Sequence, residues 1–161
     1  MKVTVIVPIY NSAKYLDESI GSLLKQTYED LEILLVDNGS ADNSLDICNS
    51  YAVKDKRIRV LHTDENIGTG AARNLGLENA LGEYICFFDA DDRYEPLFVE
   101  KLLSAATEKE NPKAESTYLS LHLSNSCSAI FSRPESVLLP LPRSQPRLPS
   151  ILWSTLNLQS S

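Results

Sequence analysis

Apolar residues follow two alternating rhythms through the first two thirds of the chain. VTVIVPIY at Val3 to Tyr10 is β-branched and nearly uninterrupted, as expected of a strand covered on both faces, and LEILLVD at Leu31 to Asp37 repeats that character. Between them Tyr15, Leu16, Ser19, Ile20, Leu23 and Leu24 recur at helical spacing behind Ser12, a candidate N-cap. The same alternation predicts a second helix from about Asp42 through Tyr51, with Leu45, Ile47, Cys48 and Tyr51 for its apolar face. It then predicts a strand at IRVLH, Ile58 to His62, a helix over Thr69 to Ala80, a strand at EYICFFD, Glu83 to Asp89, and a helix from Glu95 to Glu108. Four strands alternating with helices imply an α/β fold: a doubly wound, mainly parallel sheet with flanking helices and right-handed crossovers.

The rhythm stops near Lys113. Through Glu115 the chain carries all 6 glycines and all but one of its 22 acids; beyond it lie three Arg, one Glu and no Asp, Lys or Gly. From Ser116 to Ser161 it is rich in Ser, Leu and Pro, and neither a helical nor a strand period is evident. The expected organisation is therefore one domain over 1–112 and an irregular, disordered tail over 113–161, where the reading frame departs from that of an ancestral domain.

Composition narrows the function. A length of 161 residues, 43% hydrophobic content and a net charge of −7 suit one globular domain. The acidic balance argues against sequence-independent nucleic-acid binding, which needs clustered Lys and Arg. The longest apolar runs fall far short of the roughly 20 residues that span a bilayer. The expected address is the cytoplasm, with a peripheral place on the inner face of the membrane as the alternative. Cys48, Cys86 and Cys127 are odd in number and widely spaced, so they read as buried hydrophobes rather than a disulfide framework or a metal site.

In open parallel sheets ligands gather outside the carboxyl ends of the strands, and here those ends are polar. They are PIYN (Pro8 to Asn11), DNGSADNS (Asp37 to Ser44), HTDENIGTGAARN (His62 to Asn74) and DADD (Asp89 to Asp92). Asp37 closes an apolar strand, where its carboxylate serves either as a rigid acceptor for a ligand or as a turn cap. Asn38, Gly39 and Ser40 are ordinary turn formers, and Asp42 is a candidate N-cap. Gly68 and Gly70 precede a helix, where backbone N–H groups can face phosphate or simply turn the chain. Arg73 near the start of that helix opposes its dipole, so a contact is its expected role, with a surface salt bridge as the alternative. Three acids within four positions repel one another unless a cation neutralises them. Asp89 and Asp91, two apart, would share one face in extended geometry while Asp92 points elsewhere, which favours the first two as ligands of a hard divalent ion.

Taken together VTVIVPIYN, LLVDNGSADNS and NIGTGAARNLGLENALGEYICFFDADD, in this order and spacing, resemble the nucleotide-sugar-binding half of family 2 glycosyltransferases over about residues 1–110. The resemblance implies a GT-A fold, Rossmann-like in its winding, and transfer of a sugar from a nucleotide-sugar donor, usually a UDP-sugar, to a glycan, lipid or protein acceptor. It implies that Pro8, Tyr10 and Asn11 line the base and ribose pocket, that Asp37, with Gly39 and Ser40 behind it, contacts the base, and that Asn66, Gly68 and Arg73 border the diphosphate and sugar. It aligns the family's DXD motif with Asp89, Ala90 and Asp91, the first acid near the ribose or sugar and the second on Mg²⁺ or Mn²⁺. The family's catalytic base, for an inverting transfer a carboxylate, is expected roughly a hundred residues beyond DXD. The acids after Arg93 do not match its motif, so the chain reads as a truncated transferase whose alternative role is to bind nucleotide sugar or metal without transfer. A dehydrogenase-like dinucleotide site is disfavoured, because PIYNSAKY has no glycines to admit a pyrophosphate.

Overall fold

The computed structural model describes residues 1–107, 119–123 and 126–132, the last two segments as backbone strands. Strands β1 (Val3–Ile9), β2 (Leu31–Asn38), β3 (Ile58–Thr63) and β4 (Tyr84–Phe87) alternate with helices α1 (Ala13–Leu24), α2 (Ser44–Lys54), α3 (Thr69–Asn79) and α4 (Phe98–Thr107). The sheet runs β3-β2-β1-β4, all parallel, and continues through β6 (Ser126–Ser132) to β5 (Leu119–Leu123), both antiparallel pairings. The parallel order builds outward from β1 in one direction through β2 and β3, then returns to the other side with β4. The crevice between the carboxyl ends of β1 and β4 is therefore the topological switch point, where open α/β sheets place their ligands.

Side-chain alternation along the strands assigns the layers. Val3, Val5, Val7 and Ile9 pack with Leu31, Ile33 and Leu35 beneath Leu16, Ile20 and Leu23 of α1, Cys48 of α2, and Phe98, Val99 and Leu102 of α4. Ile6, Leu34, Val36, Ile85 and Phe87 form the opposite face, covered by Ala72 of α3. This is the two-sided burial that uninterrupted Val/Ile/Leu strands require.

A polar network closes the amino ends of the strands. Glu32, whose side chain is only 3% exposed, pairs with Arg59 and accepts from the Thr4 hydroxyl (2.6 Å) and the Leu81 N–H (2.8 Å). Thr4 in turn accepts from the Gly82 N–H, and Arg59 donates to the Asn79 carbonyl. Burial raises the Glu32 pKa, but the bonds from Thr4, Leu81 and Arg59 outweigh it and hold the carboxyl below its usual value.

The structure differs from expectation in four places. Strand β4 ends at Phe87, and the Asp92 N–H bonds the Asp89 carbonyl, so the acids lie on a turn rather than on an extended strand. Asp42 is not the N-cap of α2; Asn43 holds that place. The fourth helix starts at Phe98, because the Phe98 N–H closes a turn onto Glu95. Within the stretch expected to be irregular, β5 and β6 form an antiparallel pair on the outer edge of β4; the positions Leu119, Leu121 and Leu123 do in fact recur at period two. The remaining expectations for 108–118 and 133–161 lie outside the described residues.

Candidate functional site

An open cleft of about 320 Å³ lies at the switch point. It is lined by Pro8, Ile9 and Tyr10 from the end of β1, Ser12 and Tyr15 from the start of α1, Asn38 from the end of β2, Thr69 from α3, and Asp89, Ala90 and Asp91 after β4. Tyr10 and Tyr15 are 49% and 41% exposed, so two accessible aromatic rings and two carboxylates line the same cavity. Thr69 also begins α3, which brings the positive end of that helix dipole to the cleft wall.

The wall bearing Tyr10 is fixed by an interlock between two loops. Backbone N–H groups of Asn11, Ser12 and Ala13 donate to Ser40 Oγ, Ser44 Oγ and Asp42 Oδ2, each at 3.0 Å, and Asn11 Oδ1 accepts from the Ala41 N–H. Helix α1 is thus capped by the loop after β2, while Ser12 spends its own hydroxyl on the Tyr10 carbonyl. Desolvation acts upward on Asp42, but the bonds from Ser44 and Ala13 pull its pKa below the usual range. The donors that would meet a pyrophosphate in a dinucleotide fold are already occupied here.

A second interlock holds the loop after β3. Asn38 is buried; its Nδ2 donates to Asn66 Oδ1 (3.0 Å) and its Oδ1 accepts from the Ile67 N–H (3.0 Å), while Asn66 Oδ1 also accepts from Gly68. Gly39 makes this possible. Its φ is +68°, and a Cβ there would stand 2.4 Å from the Glu65 carbonyl carbon.

Asp37 continues the buried series Leu31, Ile33, Leu35 and is 0% exposed. Its Oδ2 lies 2.9 Å from His62 Nδ1 and accepts from the Ser40 N–H at 3.4 Å; its Oδ1 is buried without a hydrogen-bond partner. Asp37 therefore does act on its turn, yet retains an unspent acceptor.

The turn of acids rests on an aromatic floor. The Asp89 N–H donates to the Tyr94 hydroxyl (2.9 Å), the Tyr94 ring stacks on Phe88 at 3.7 Å, Phe98 meets both rings, and the Tyr94 N–H donates to Ser22. Arg73 donates to Asp89 Oδ1 (3.1 Å) and lies over the Phe87 ring. Arg73 is thus engaged in a salt bridge, the alternative that its place in the helix left open. Partial burial raises the Asp89 pKa; Arg73 opposes that shift, and the neighbouring Asp92 and Asp91 add to it.

Of the residues anticipated from the sequence, Pro8, Tyr10, Asp89 and Asp91 line the cleft. Asn11, Gly39, Ser40, Asn66 and Gly68 form the loops around it, and Asp37 and Arg73 are tied to those loops and to Asp89. Asp92 is not on the cleft wall. Asn38, Tyr15, Thr69 and His62 were not anticipated; a polar Asn closing an apolar strand is the one signal that could have been used. Among the described residues no three His, Cys, Asp or Glu side chains converge into a ready-made metal site.

The profile of Glycosyl transferase family 2 matches residues 4–113. The chain belongs to this family. It is 45% identical over 108 residues to the glycosyltransferase GlyG of Streptococcus pneumoniae, covering 67% of this chain and 36% of that protein. The putative glycosyltransferase EpsH of Bacillus subtilis is 45% identical over 104 residues, covering 65% and 30%. Among solved structures, S. aureus TarS in complex with UDP-GlcNAc superposes with a TM-score of 0.60 at 37% identity, covering 66% of this chain and 31% of that one. The mannosyltransferase PcManGT of Pyrobaculum calidifontis, in complex with GDP-Man and Mn²⁺, gives 0.64 at 26% identity, covering 67% and 33%. The chain thus spans about a third of the length of these relatives. The parallel four-stranded sheet with its helices is the GT-A, Rossmann-like arrangement.

Proposed function

We propose that this chain is the donor-binding part of a metal-assisted glycosyltransferase that takes a UDP-sugar and transfers the sugar, with inversion, to a hydroxyl on a glycan, lipid or protein. The observation that carries this reading is the cleft itself: aromatic Tyr10 and Tyr15 line it together with Asp89 and Asp91 at the switch point. The UDP-GlcNAc and Mn²⁺ held by the structural neighbours support it.

In this reading the base and ribose lie against Pro8, Tyr10 and Asn11, with Asp37 accepting a hydrogen bond from the base and Gly39 and Ser40 shaping the turn behind it. The diphosphate runs toward Asn66, Gly68 and Arg73, where the α3 terminus and the guanidinium supply positive charge. Asp89 and Asp91 suit Mg²⁺ or Mn²⁺: both are hard oxygen donors lining the open cleft, and a carboxylate pair leaves the other coordination positions to water and phosphate. Asp91, exposed and outside the Arg73 pair, is the principal ligand, with Asp89 beside it. When bound, the ion stabilises the charge that develops on the departing nucleoside diphosphate.

Asp89, steadied by Tyr94 and Arg73, holds the ribose or sugar in place. The bond from the anomeric carbon to the phosphate oxygen breaks as the acceptor oxygen attacks from the opposite face, and the acceptor proton passes to a carboxylate base. Calorimetry with UDP-sugars plus Mn²⁺, followed by assay of UDP release with acceptor present, tests the reading. Binding with acceptor-dependent release supports transfer; binding alone assigns a donor-holding role; the absence of both overturns the proposal.

A further inference from the structure

We propose that His62 is a positioning residue that sets nucleobase selectivity through Asp37, an inference that rests on the donor reading above. The two residues lie directly opposite each other in the β2–β3 register, on the side of the sheet covered by α1 and α2. Asp37 is fully buried, and a buried carboxylate needs donors to both oxygens. Oδ2 has two, His62 Nδ1 at 2.9 Å and the longer bond from the Ser40 N–H at 3.4 Å; Oδ1 is buried with no partner.

His62 provides the short, side-chain half of that arrangement. A carboxylate only accepts, so the proton of this bond sits on Nδ1 and the imidazole donates it. Its second nitrogen, Nε2, lies 3.8 Å from Asp64 on the exposed side. With Oδ2 committed to β3, rotation of the carboxylate is fixed and Oδ1 is left as a pure acceptor. Such an acceptor suits a base that presents a ring N–H, as uracil does at N3, and is mismatched to cytosine, which presents a lone pair at the same place. Burial makes that mismatch costly, because neither lone pair then finds a proton.

The ratio of UDP to CDP affinity, measured by calorimetry on the full chain with Mn²⁺, reads this directly. Wild type should prefer UDP, and His62→Ala should lower the ratio by roughly tenfold, the scale expected for one hydrogen bond in a buried site. His62→Asn, whose amide places an N–H near the Nδ1 position, should keep the preference; His62→Gln, whose donor is displaced by one carbon, should not. Asp37→Asn should lower the ratio as well, and His62→Ala on that background should add nothing. If His62→Ala does not fold, the Asn and Gln variants carry the same contrast. A wild-type preference for UDP that every His62 variant retains, or variants that weaken both nucleotides equally, overturns the positioning role and leaves the donor reading standing. A wild-type chain that binds no UDP overturns both.

Discussion

Replacing Gly39 with alanine tests whether the loop after β3 is held by backbone contact. The new Cβ would lie 2.4 Å from the Glu65 carbonyl carbon, 2.6 Å from the Asn66 nitrogen and 2.7 Å from the Glu65 Cα. Ordinary carbon contacts need about 3.5 Å, so the loop must retreat by about an ångström. These are backbone atoms, which cannot swing aside as a side-chain end can. The overpacking costs about 1–3 kcal/mol, and a left-handed alanine adds about 1–2 kcal/mol. Gly68 is the control: its φ is +87°, but nothing stands within 4 Å of a Cβ there. Gly68→Ala should therefore cost only the backbone strain, about 1–3 kcal/mol, part of which the open loop relieves. The loss of unfolded-state entropy is common to both substitutions and cancels in the comparison. Urea unfolding should place Gly39→Ala below Gly68→Ala by about 1–3 kcal/mol. UDP affinity should fall with it, because the displaced loop carries Asn66 and the Asn38 bond. Equal stabilities for the two variants would refute the account of the interlock.

The Glu32 network predicts a pH dependence. Its carboxyl has a folded-state pKa below the unfolded value, so its stabilisation is complete above the unfolded pKa and disappears as pH falls through the folded one. Urea midpoints measured below about pH 5 should fall less steeply in Glu32→Gln than in wild type, while near neutrality that variant should lose about 2–4 kcal/mol through unmatched buried partners. Tyr94→Phe removes the acceptor for the Asp89 N–H and should cost about 1–2 kcal/mol in thermal unfolding. It should also weaken Mn²⁺-dependent UDP binding, since the turn that carries Asp89 and Asp91 loses its anchor.

Much of the fold was legible because both kinds of apolar rhythm are strong. VTVIVPIY and LEILLVD could only be strands buried on both faces, and the alternation they anchor dictated a parallel sheet. Element ends were less legible, since they depend on tertiary bonds. Asp42 looks like the cap of the helix that follows it, yet its carboxylate reaches back across 29 residues to the Ala13 N–H. DADD looks extended because it follows CFF, but the Tyr94 hydroxyl draws the Asp89 N–H into a turn. The strand pair at 119–132 was missed because its Ser-rich composition hides a short alternation that only pairing with β4 reveals. At the cleft, residue types pointed to Pro8, Tyr10, Asp89 and Asp91, which line it, whereas His62 and Asn38 are tied to partners on neighbouring elements, which no local pattern encodes.

The proposed cleft binds a nucleoside diphosphate through a cation held chiefly by Asp91. Calorimetric titration of UDP with and without Mn²⁺, for wild type, Asp91→Asn and Asp92→Asn, tests it most directly. Mn²⁺ should tighten UDP binding to wild type and to Asp92→Asn, and Asp91→Asn should lose that gain by roughly tenfold or more. Equal losses in the two variants, or a wild-type affinity indifferent to Mn²⁺, would contradict it.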